Sequence, residues 1–302
     1  QGAQAVEIFI EWEEATGRTR KAGLRHSGQA WQGRLDGADV AHLGELCAAL
    51  TVVTFEPGSH DLVTGGAENR RRLIDWGLFH VEPEFLGVWR RYARALKQRN
   101  ALLKAGGRAE ELDVWERELS ESGEAITRSR EAYLGHWMPK FANEAADLAP
   151  SLGIDRLDLQ PGWRRDELSL ADALLLARSR DLATGFTSVG PHRPDWRIGY
   201  AGIPGREALS RGQAKLTALS LLLSQARLHA ELAGDWPIIA FDDLASELDR
   251  NHQARVVEGL VATGAQVFVT GTEAPPALLA HAERLVHVRV DEGRLRPEEQ
   301  AS

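Results

Sequence analysis

The chain has 302 residues, of which 43% are hydrophobic and 26% charged, a balance typical of a globular protein and not of a disordered chain. No apolar run is long enough for a membrane span, so we expect no membrane association, and acidic residues interrupt residues 5–14 where a signal peptide would be apolar. The formal charge of −8 does not predict nucleic-acid binding, although a local basic face would be enough to contact phosphate.

The single cysteine, Cys47, excludes a disulfide within the chain and a zinc site built from cysteines. We therefore expect a cytoplasmic protein, because the cytosol keeps thiols reduced. The length favours two compact units, since domains of about 100–200 residues are common.

The first elements along the chain are predicted to be strands. Residues 5–12 alternate between apolar and polar side chains and indicate a half-buried strand. Regularly spaced glycines between residues 17 and 37 favour an antiparallel meander. Asp39 is the expected N-cap of a helix that ends at Leu50, and residues 50–55 indicate a short apolar strand.

The middle of the chain, residues 73–183, is predicted to be helical. Apolar residues recur at steps of three and four from Phe85 to Leu103, and Gly106-Gly107 interrupts the pattern. A second helix is predicted over residues 110–149, which makes a helical hairpin, and a third over residues 167–183.

The last third alternates between helices and apolar strands, which favours a covered and mostly parallel sheet. Helices are predicted over 216–232 and 250–263, and strands over 236–241 and 266–270. A hairpin turn is predicted at Asp291-Glu292-Gly293.

The strongest functional signal is an ordered series of polar residues in this last third. Ser210 and the Gly212 amide open a long helix, where exposed N–H groups and the helix dipole attract phosphate. Asp242 and Asp243 follow an apolar strand, at the edge where parallel sheets bind ligands. One carboxylate suits Mg²⁺, and its neighbour can orient or deprotonate water. Taken alone, Asp-Asp is more often a helix cap or a solvated turn, but the order and spacing of the series disfavour chance.

These residues resemble the head of an ABC-type ATPase, and more narrowly the RecF recombination-repair family. Leu209–Gln213 resembles the ABC signature, Ile238–Asp243 the Walker B strand, and Ser246–Asp249 the D-loop. The match to RecF rests on three further stretches, which are Gly190-Pro191-His192-Arg193, Arg70-Arg71-Arg72-Leu73-Ile74-Asp75-Trp76-Gly77 and Leu96-Lys97-Gln98-Arg99-Asn100.

The resemblance implies an α/β ATPase head with an inserted helical arm, in which residues 1–65 and 184–302 form lobe I and residues 66–183 form lobe II. It implies an ATP-gated, DNA-binding homodimer that serves DNA repair and replication and assists RecA loading at gapped DNA, with RecO and RecR as partners. Ser210 would contact the γ-phosphate held by the opposite protomer, Asp242 would hold Mg²⁺, and Asp243 would position the attacking water. The remaining implied nucleotide contacts are Gly212, Gln213, Asp249 and Thr270.

The chain differs from this family pattern and from other ABC proteins at several motifs, and these differences predict how well it binds and hydrolyses ATP. The chain contains no Gly-Lys pair and therefore no Walker A sequence G-x-x-x-x-G-K-[ST], whose amides and lysine hold phosphates. We interpret it as N-terminally truncated and expect little ATP binding or hydrolysis by this chain alone. Asp243 and Thr270 replace the Glu and His of other ABC proteins, which predicts slow hydrolysis. The alternatives are a non-enzymatic DNA- or partner-binding scaffold and a transporter ATPase subunit.

A second functional signal is the basic segment 85–108, which contains seven cations and no acid. Arg90, Arg94 and Lys97 share one helical face and are candidates for contacts with DNA phosphates. The alternative is a solvated face of the hairpin.

Two of the three stretches of the RecF match also leave alternatives open. The Gly190–Arg193 segment would either lie near the signature helix or form a structural turn. Arg70–Arg72 would either cap a helix or pair with Glu68 and Asp75.

Overall fold

The computed structural model describes residues 5–14, 16–40, 43–292 and 294–297. The chain begins with an antiparallel meander of four strands in sequential order, followed by a short helix. These elements are β1 (Val6–Glu13), β2 (Thr19–His26), β3 (Trp31–Leu35), β4 (Ala38–Val40) and α1 (Leu43–Ala49). The predicted meander is confirmed.

Two details of the meander differ from the prediction. β1 is not half-buried, because Val6, Ile8 and Phe9 are 64%, 55% and 67% exposed and so both strand faces are open. Asp39 does not cap a helix but lies in β4, where its carboxylate accepts a hydrogen bond of 2.8 Å from Arg34 across the hairpin. The Asp39 carboxylate therefore binds Arg34 of the neighbouring strand and not the N–H groups at a helix start.

A parallel strand and the helical region follow. Their elements are β5 (Val52–Phe55), α2 (Asp61–Thr64), α3 (Ala67–Val81), α4 (Phe85–Ala105) and α5 (Ala109–Leu148). The predicted helical hairpin is confirmed in α4 and α5, and Gly106 ends α4 in the left-handed region at φ 67°. Glycine is favoured at this C-terminal position because it has no Cβ to clash.

The next segment contains β6 (Ile154–Gln160), α6 (Leu170–Thr184) and β7 (Asp195–Tyr200). The prediction that residues 73–183 are helical is wrong at β6, which is a strand. It pairs antiparallel with β7 and packs on α5. Its polar and apolar residues alternate from Arg156 to Gln160, a pattern with the period of two that strands have.

The last elements are α7 (Arg211–Ala233), β8 (Ile238–Phe241), α8 (Leu244–Glu247), α9 (Arg250–Val261), β9 (Val267–Val269), α10 (Pro276–Leu279), β10 (Val288–Asp291) and β11 (Arg294–Pro297). β5, β8 and β9 form a parallel sheet in that order. β10 and β11 form the predicted hairpin, whose Gly293 lies outside the described residues.

One hydrophobic core joins the parallel sheet to the helical region. The Trp137 and Trp196 rings meet edge to face at 5.7 Å, and Trp137 Nε1 donates to the Ser224 hydroxyl of the buried helix α7 at 2.8 Å. The division into two lobes, at residues 65 and 184, stays a prediction. Among the described residues, no helix combines the length and the apolar character that crossing a bilayer requires.

A buried ionic network binds the hairpin to α6. The Arg99 guanidinium is fully buried and donates to Glu116 of α5 at 2.9 Å and to Asp181 of α6 at 2.7 Å. It also donates to the Thr187 hydroxyl, in the loop after α6, at 2.9 Å. Two carboxylates and a hydroxyl thus replace the water that this cation loses, as a buried charge requires.

The basic segment is therefore less uniform than the sequence suggested. Arg99 points into the core, and Arg91 pairs with Glu118 of α5 at 2.7 Å. Arg90, Arg94 and Lys97 are exposed. Acidic residues of α5 pair with Arg91 and Arg99. The face of α4 that carries Arg90, Arg94 and Lys97 therefore keeps its positive charge.

We predict that Asp181→Ala lowers the free energy of unfolding by about 3–5 kcal/mol, because it strips a partner from a buried cation. The matched control is Glu118→Ala, which removes the partner of the half-exposed Arg91 and is expected to cost less than about 1 kcal/mol. Urea unfolding followed by circular dichroism measures both variants. Equal losses would contradict a dominant role for the buried network.

Candidate functional site

Three of the residues predicted for nucleotide chemistry meet at the carboxyl edge of the parallel sheet. β8 and β9 end side by side, because Phe241 pairs with Val269. The next residues are therefore neighbours: Thr270 Oγ1 donates to Asp242 Oδ1 at 2.6 Å, and the Asp243 N–H donates to Thr270 Oγ1 at 3.3 Å. The hydroxyl thus orients the first carboxylate and holds the backbone of the second.

Asp243 has an uncommon backbone conformation. Its φ of 56° and ψ of 47° place it in the left-handed region at the start of α8. For a residue with a Cβ this conformation costs free energy, and such strain often accompanies a functional turn. The turn leaves Asp242 exposed and Asp243 half-buried, so both carboxylates are accessible to a ligand.

Ser210, Gly212 and Gln213 form the first turn of α7. The Ser210 hydroxyl accepts from the Gln213 N–H at 3.2 Å, and Gln213 Oε1 accepts from the Ser210 N–H at 2.8 Å. This reciprocal capping box stabilises the helix start. Ser210 and Gly212 are exposed, at the positive end of the helix dipole.

The α7 turn and the sheet edge are two separate clusters. Among the hydrogen bonds of the described residues, none joins Ser210, Gly212 or Gln213 to Asp242, Asp243 or Thr270. A link exists one turn further on, where the Lys215 ammonium lies 2.6 Å from Glu247 of α8. This ion pair was not predicted, because the two residues are 32 positions apart and no sequence pattern connects them.

Asp249 begins α9 as its N-cap. Its Oδ1 accepts from the N–H groups of Asn251 and His252 at 3.0 and 3.1 Å. The backbone hydrogen bond from His252, together with the His252 side chain, lowers the pKa of Asp249. His252 in turn bonds the Leu148 carbonyl at the end of α5, so this turn is anchored to the helical hairpin.

The predicted DNA-contacting residues lie elsewhere, on α4. Arg90, Arg94 and Lys97 are spaced by four and three residues and all three are exposed. Within the described part of the chain, no carboxylate forms an ion pair with any of them. Their charges therefore face solvent together.

The Gly190–Arg193 segment is a structural turn. The Pro191 carbonyl accepts from Arg130 at 2.7 Å, and Arg130 also forks Asp75 with two bonds of 2.8 Å. His192 lies between the Tyr92 hydroxyl, 2.6 Å from Nδ1, and the Thr187 carbonyl, 3.0 Å from Nε2.

The arginine-rich stretch of α3 has mixed roles. Arg70 bonds Asp195 at 2.6 and 3.0 Å and three carbonyls at the end of α2, the closest that of Gly65 at 2.8 Å. It therefore caps a helix, as one alternative proposed. Arg72 pairs with Glu68, as the other alternative proposed, but the expected pairing with Asp75 is wrong, because Arg130 binds that carboxylate.

No family model matches the chain. The chain is 63% identical over 292 residues to the DNA replication and repair protein RecF of Stenotrophomonas maltophilia (strain R551-3), which covers 95% of this chain and 79% of the relative. It is 58% identical over 299 residues to the protein of the same name from Xanthomonas axonopodis pv. citri (strain 306), covering 98% and 81%. The chain belongs to the RecF family.

The solved structures agree with a RecF fold. The recombination mediator protein RecF with ATP, of the RecFOR pathway, matches with a TM-score of 0.82 at 21% identity and covers 98% of this chain and 81% of that one. The Smc head domain from Pyrococcus furiosus matches with a TM-score of 0.56 at 13% identity, covering 98% and 77%. The predicted ABC-type head is confirmed, whereas the roles of individual residues stay predictions.

We predict that Asp243→Gly raises the free energy of unfolding by up to about 1 kcal/mol, because glycine adopts positive φ without the steric cost of a Cβ. Asp243→Ala keeps the strain and loses the polar side chain, and we expect it to be about 1 kcal/mol less stable than Asp243→Gly. Urea unfolding compares the two with Asp243→Asn, which tolerates this region. A glycine variant less stable than the alanine variant would show that the turn is unstrained.

Proposed function

We propose that this chain forms part of an ATP-gated, DNA-binding RecF dimer with slow ATPase activity. The proposal rests on one observation above all: Asp242 and Thr270 are hydrogen bonded at the carboxyl edge of a parallel sheet, with Asp243 beside them. Ligands bind at this edge in open α/β sheets. The ATP in a solved RecF of the same fold supports nucleotide as the ligand.

Mg²⁺ fits the donors at this edge. The Asp242 carboxylate and the Thr270 hydroxyl are hard oxygen ligands of the kind that Mg²⁺ prefers. Among the described residues, no group of three or more His, Cys, Asp and Glu side chains could hold a metal ion. Asp242 would therefore bind Mg²⁺ together with nucleotide phosphates and water. When bound, the ion would neutralise phosphate charge, while Asp243 orients the attacking water.

The lack of hydrogen bonds between these two polar clusters, among the described residues, supports a composite site. In our proposal, the sheet edge of one protomer and the α7 turn of its partner contact the same nucleotide. Ser210 would face the γ-phosphate with a small hydroxyl, and Gly212 and Gln213 would complete the turn. Asp249 at the start of α9 would lie at the dimer interface.

DNA is the proposed partner of α4, because Arg90, Arg94 and Lys97 present three adjacent cations with which no carboxylate of the described residues forms an ion pair. RecO, RecR and RecA are proposed partners by family resemblance alone. A scaffold that binds DNA without hydrolysing ATP is the second candidate, since the 302 residues contain no G-x-x-x-x-G-K-[ST] sequence.

We predict that replacing Arg90, Arg94 and Lys97 together by alanine weakens duplex binding and flattens the log–log salt dependence by about 0.9 per lost phosphate contact. Fluorescence anisotropy with a labelled duplex measures both the affinity and its salt dependence. A salt range of about 50 to 200 mM resolves the loss of such contacts. The control replaces by alanine three exposed arginines of the β6–β7 region, which are Arg156, Arg164 and Arg197. It has the same net charge as the α4 variant. Equal loss in both variants would indicate bulk charge and not a site on α4.

We predict that Ser210→Arg abolishes ATP-dependent association of this chain with the Stenotrophomonas RecF, because a bulky cation replaces the hydroxyl at the phosphate-facing turn. Sedimentation of the fluorescently labelled chain, with and without ATP, measures this association. Ser210→Thr, which keeps the capping hydroxyl, is the control and should still associate. If Ser210 is only an N-cap, its loss costs about 1 kcal/mol of stability, and a folded Ser210→Arg protein would associate normally.

A further inference from the structure

The loop that follows α6, residues 185–193, lies along α4. A Cβ placed on Gly185 would be 3.2 Å from Lys104 Cγ, so the loop begins in contact with the last turn of α4. One helical turn back, the Thr187 N–H donates to Asn100 Oδ1 at 2.8 Å, and its hydroxyl donates to the same atom at 2.7 Å. The loop then continues toward the start of the helix.

The far end of the loop is fixed just as firmly. His192 bonds the Tyr92 hydroxyl, and a Cβ on Gly190 would lie 2.8 Å from the same oxygen. Contacts therefore extend from Lys104 to Tyr92, a helical rise of about 18 Å. This length corresponds to about five base-pair steps of B-DNA.

The loop borders the basic face of α4. Asn100 and Lys104, which touch the loop, follow Lys97 by three and seven residues, so all three lie on one side of the helix. On the flank of the basic face away from Asn100, Arg91 is paired with Glu118 of α5. The unneutralised surface of α4 can therefore extend toward the loop but not toward α5.

Two side chains of the loop stand out on this border. Phe186 is 43% exposed, and the Arg193 guanidinium carbon lies 5.7 Å from the centre of its ring. Arg193 is exposed, and no carboxylate of the described residues forms an ion pair with it. The ring holds the guanidinium by a cation–π contact, so the cation keeps its position without being neutralised.

We propose that Arg193, oriented by Phe186, contacts a phosphate of the same DNA backbone that α4 binds. The DNA-binding surface then consists of a helix and a loop, to which Arg193 contributes a cation beside those of α4. A guanidinium forks a phosphate with two hydrogen bonds, which a lysine cannot do. This inference rests on the proposed DNA binding by α4.

The test uses the 302-residue chain and a fluorescein-labelled duplex, with anisotropy measured across a salt series. Arg193→Ala is expected to weaken binding about five- to tenfold at 0.1 M salt and to reduce the salt slope by about 0.9, the effect of one phosphate contact. Arg193→Lys should keep the slope and recover part of the affinity. Arg197→Ala, which removes an exposed arginine of β7, should change neither quantity.

A double-mutant cycle tests the role of Phe186. Phe186→Ala alone should weaken binding by less than Arg193→Ala, and it should add nothing in the Arg193→Ala background, because the ring acts through the guanidinium. A further loss in that background would contradict the orienting role and indicate that the ring itself contacts DNA.

The outcomes separate this inference from the proposed function. If the parent chain binds DNA and the α4 triple variant weakens binding, but a folded Arg193→Ala protein matches the parent in affinity and slope, the loop contact is wrong and binding by α4 stands. If the triple variant binds like the parent, binding by α4 is wrong and the loop contact falls with it. Circular dichroism melting of each variant confirms that the fold is intact.

Discussion

The ionic contact of Arg99 with Glu116 and Asp181 is the constraint on which the helical half of the molecule depends. A fully buried guanidinium loses its water and is tolerable only when fixed carboxylates surround it. These carboxylates come from α5 and α6, and the Thr187 hydroxyl comes from the loop after α6. Separating any of these elements from α4 would leave a charge in the core, so the exposed face of α4 and its neighbouring loop keep one relative position.

The parallel sheet imposes a comparable constraint on the nucleotide residues. Because Phe241 pairs with both Phe55 and Val269, three strands end at one level and the polar residues after them become neighbours. The Thr270 hydroxyl then bonds both acidic residues, accepting from the Asp243 N–H and donating to the Asp242 carboxylate. Among the described residues, no hydrogen bond joins the first turn of α7 to this edge, as the proposed site completed by a second protomer would require.

The sequence was informative where local pattern decides the structure. The α4–α5 hairpin, the parallel strands and the polar series from Ser210 to Thr270 follow from periodicity and spacing. The sequence was uninformative where a contact with a residue distant in the chain determines the position of a side chain. Arg99 lies among exposed cations in the sequence, and only the carboxylate of Asp181, 82 residues away, shows that it is buried. Similarly, the sequence pattern predicts that Asp39 caps a helix, whereas the structure pairs it with Arg34 across the β3–β4 hairpin.

The turn at His192 shows why the loop beside α4 holds one conformation near neutral pH. Burial lowers the pKa of His192 to about 4, so its ring is neutral at pH 7. The Thr187 carbonyl can only accept, so Nε2 carries the proton and donates to it, and Nδ1 accepts from the Tyr92 hydroxyl. A protonated ring could not accept that second bond. The neutral His192 ring therefore ties this end of the loop to α4. The next residue, Arg193, is exposed and carries the positive charge of this turn.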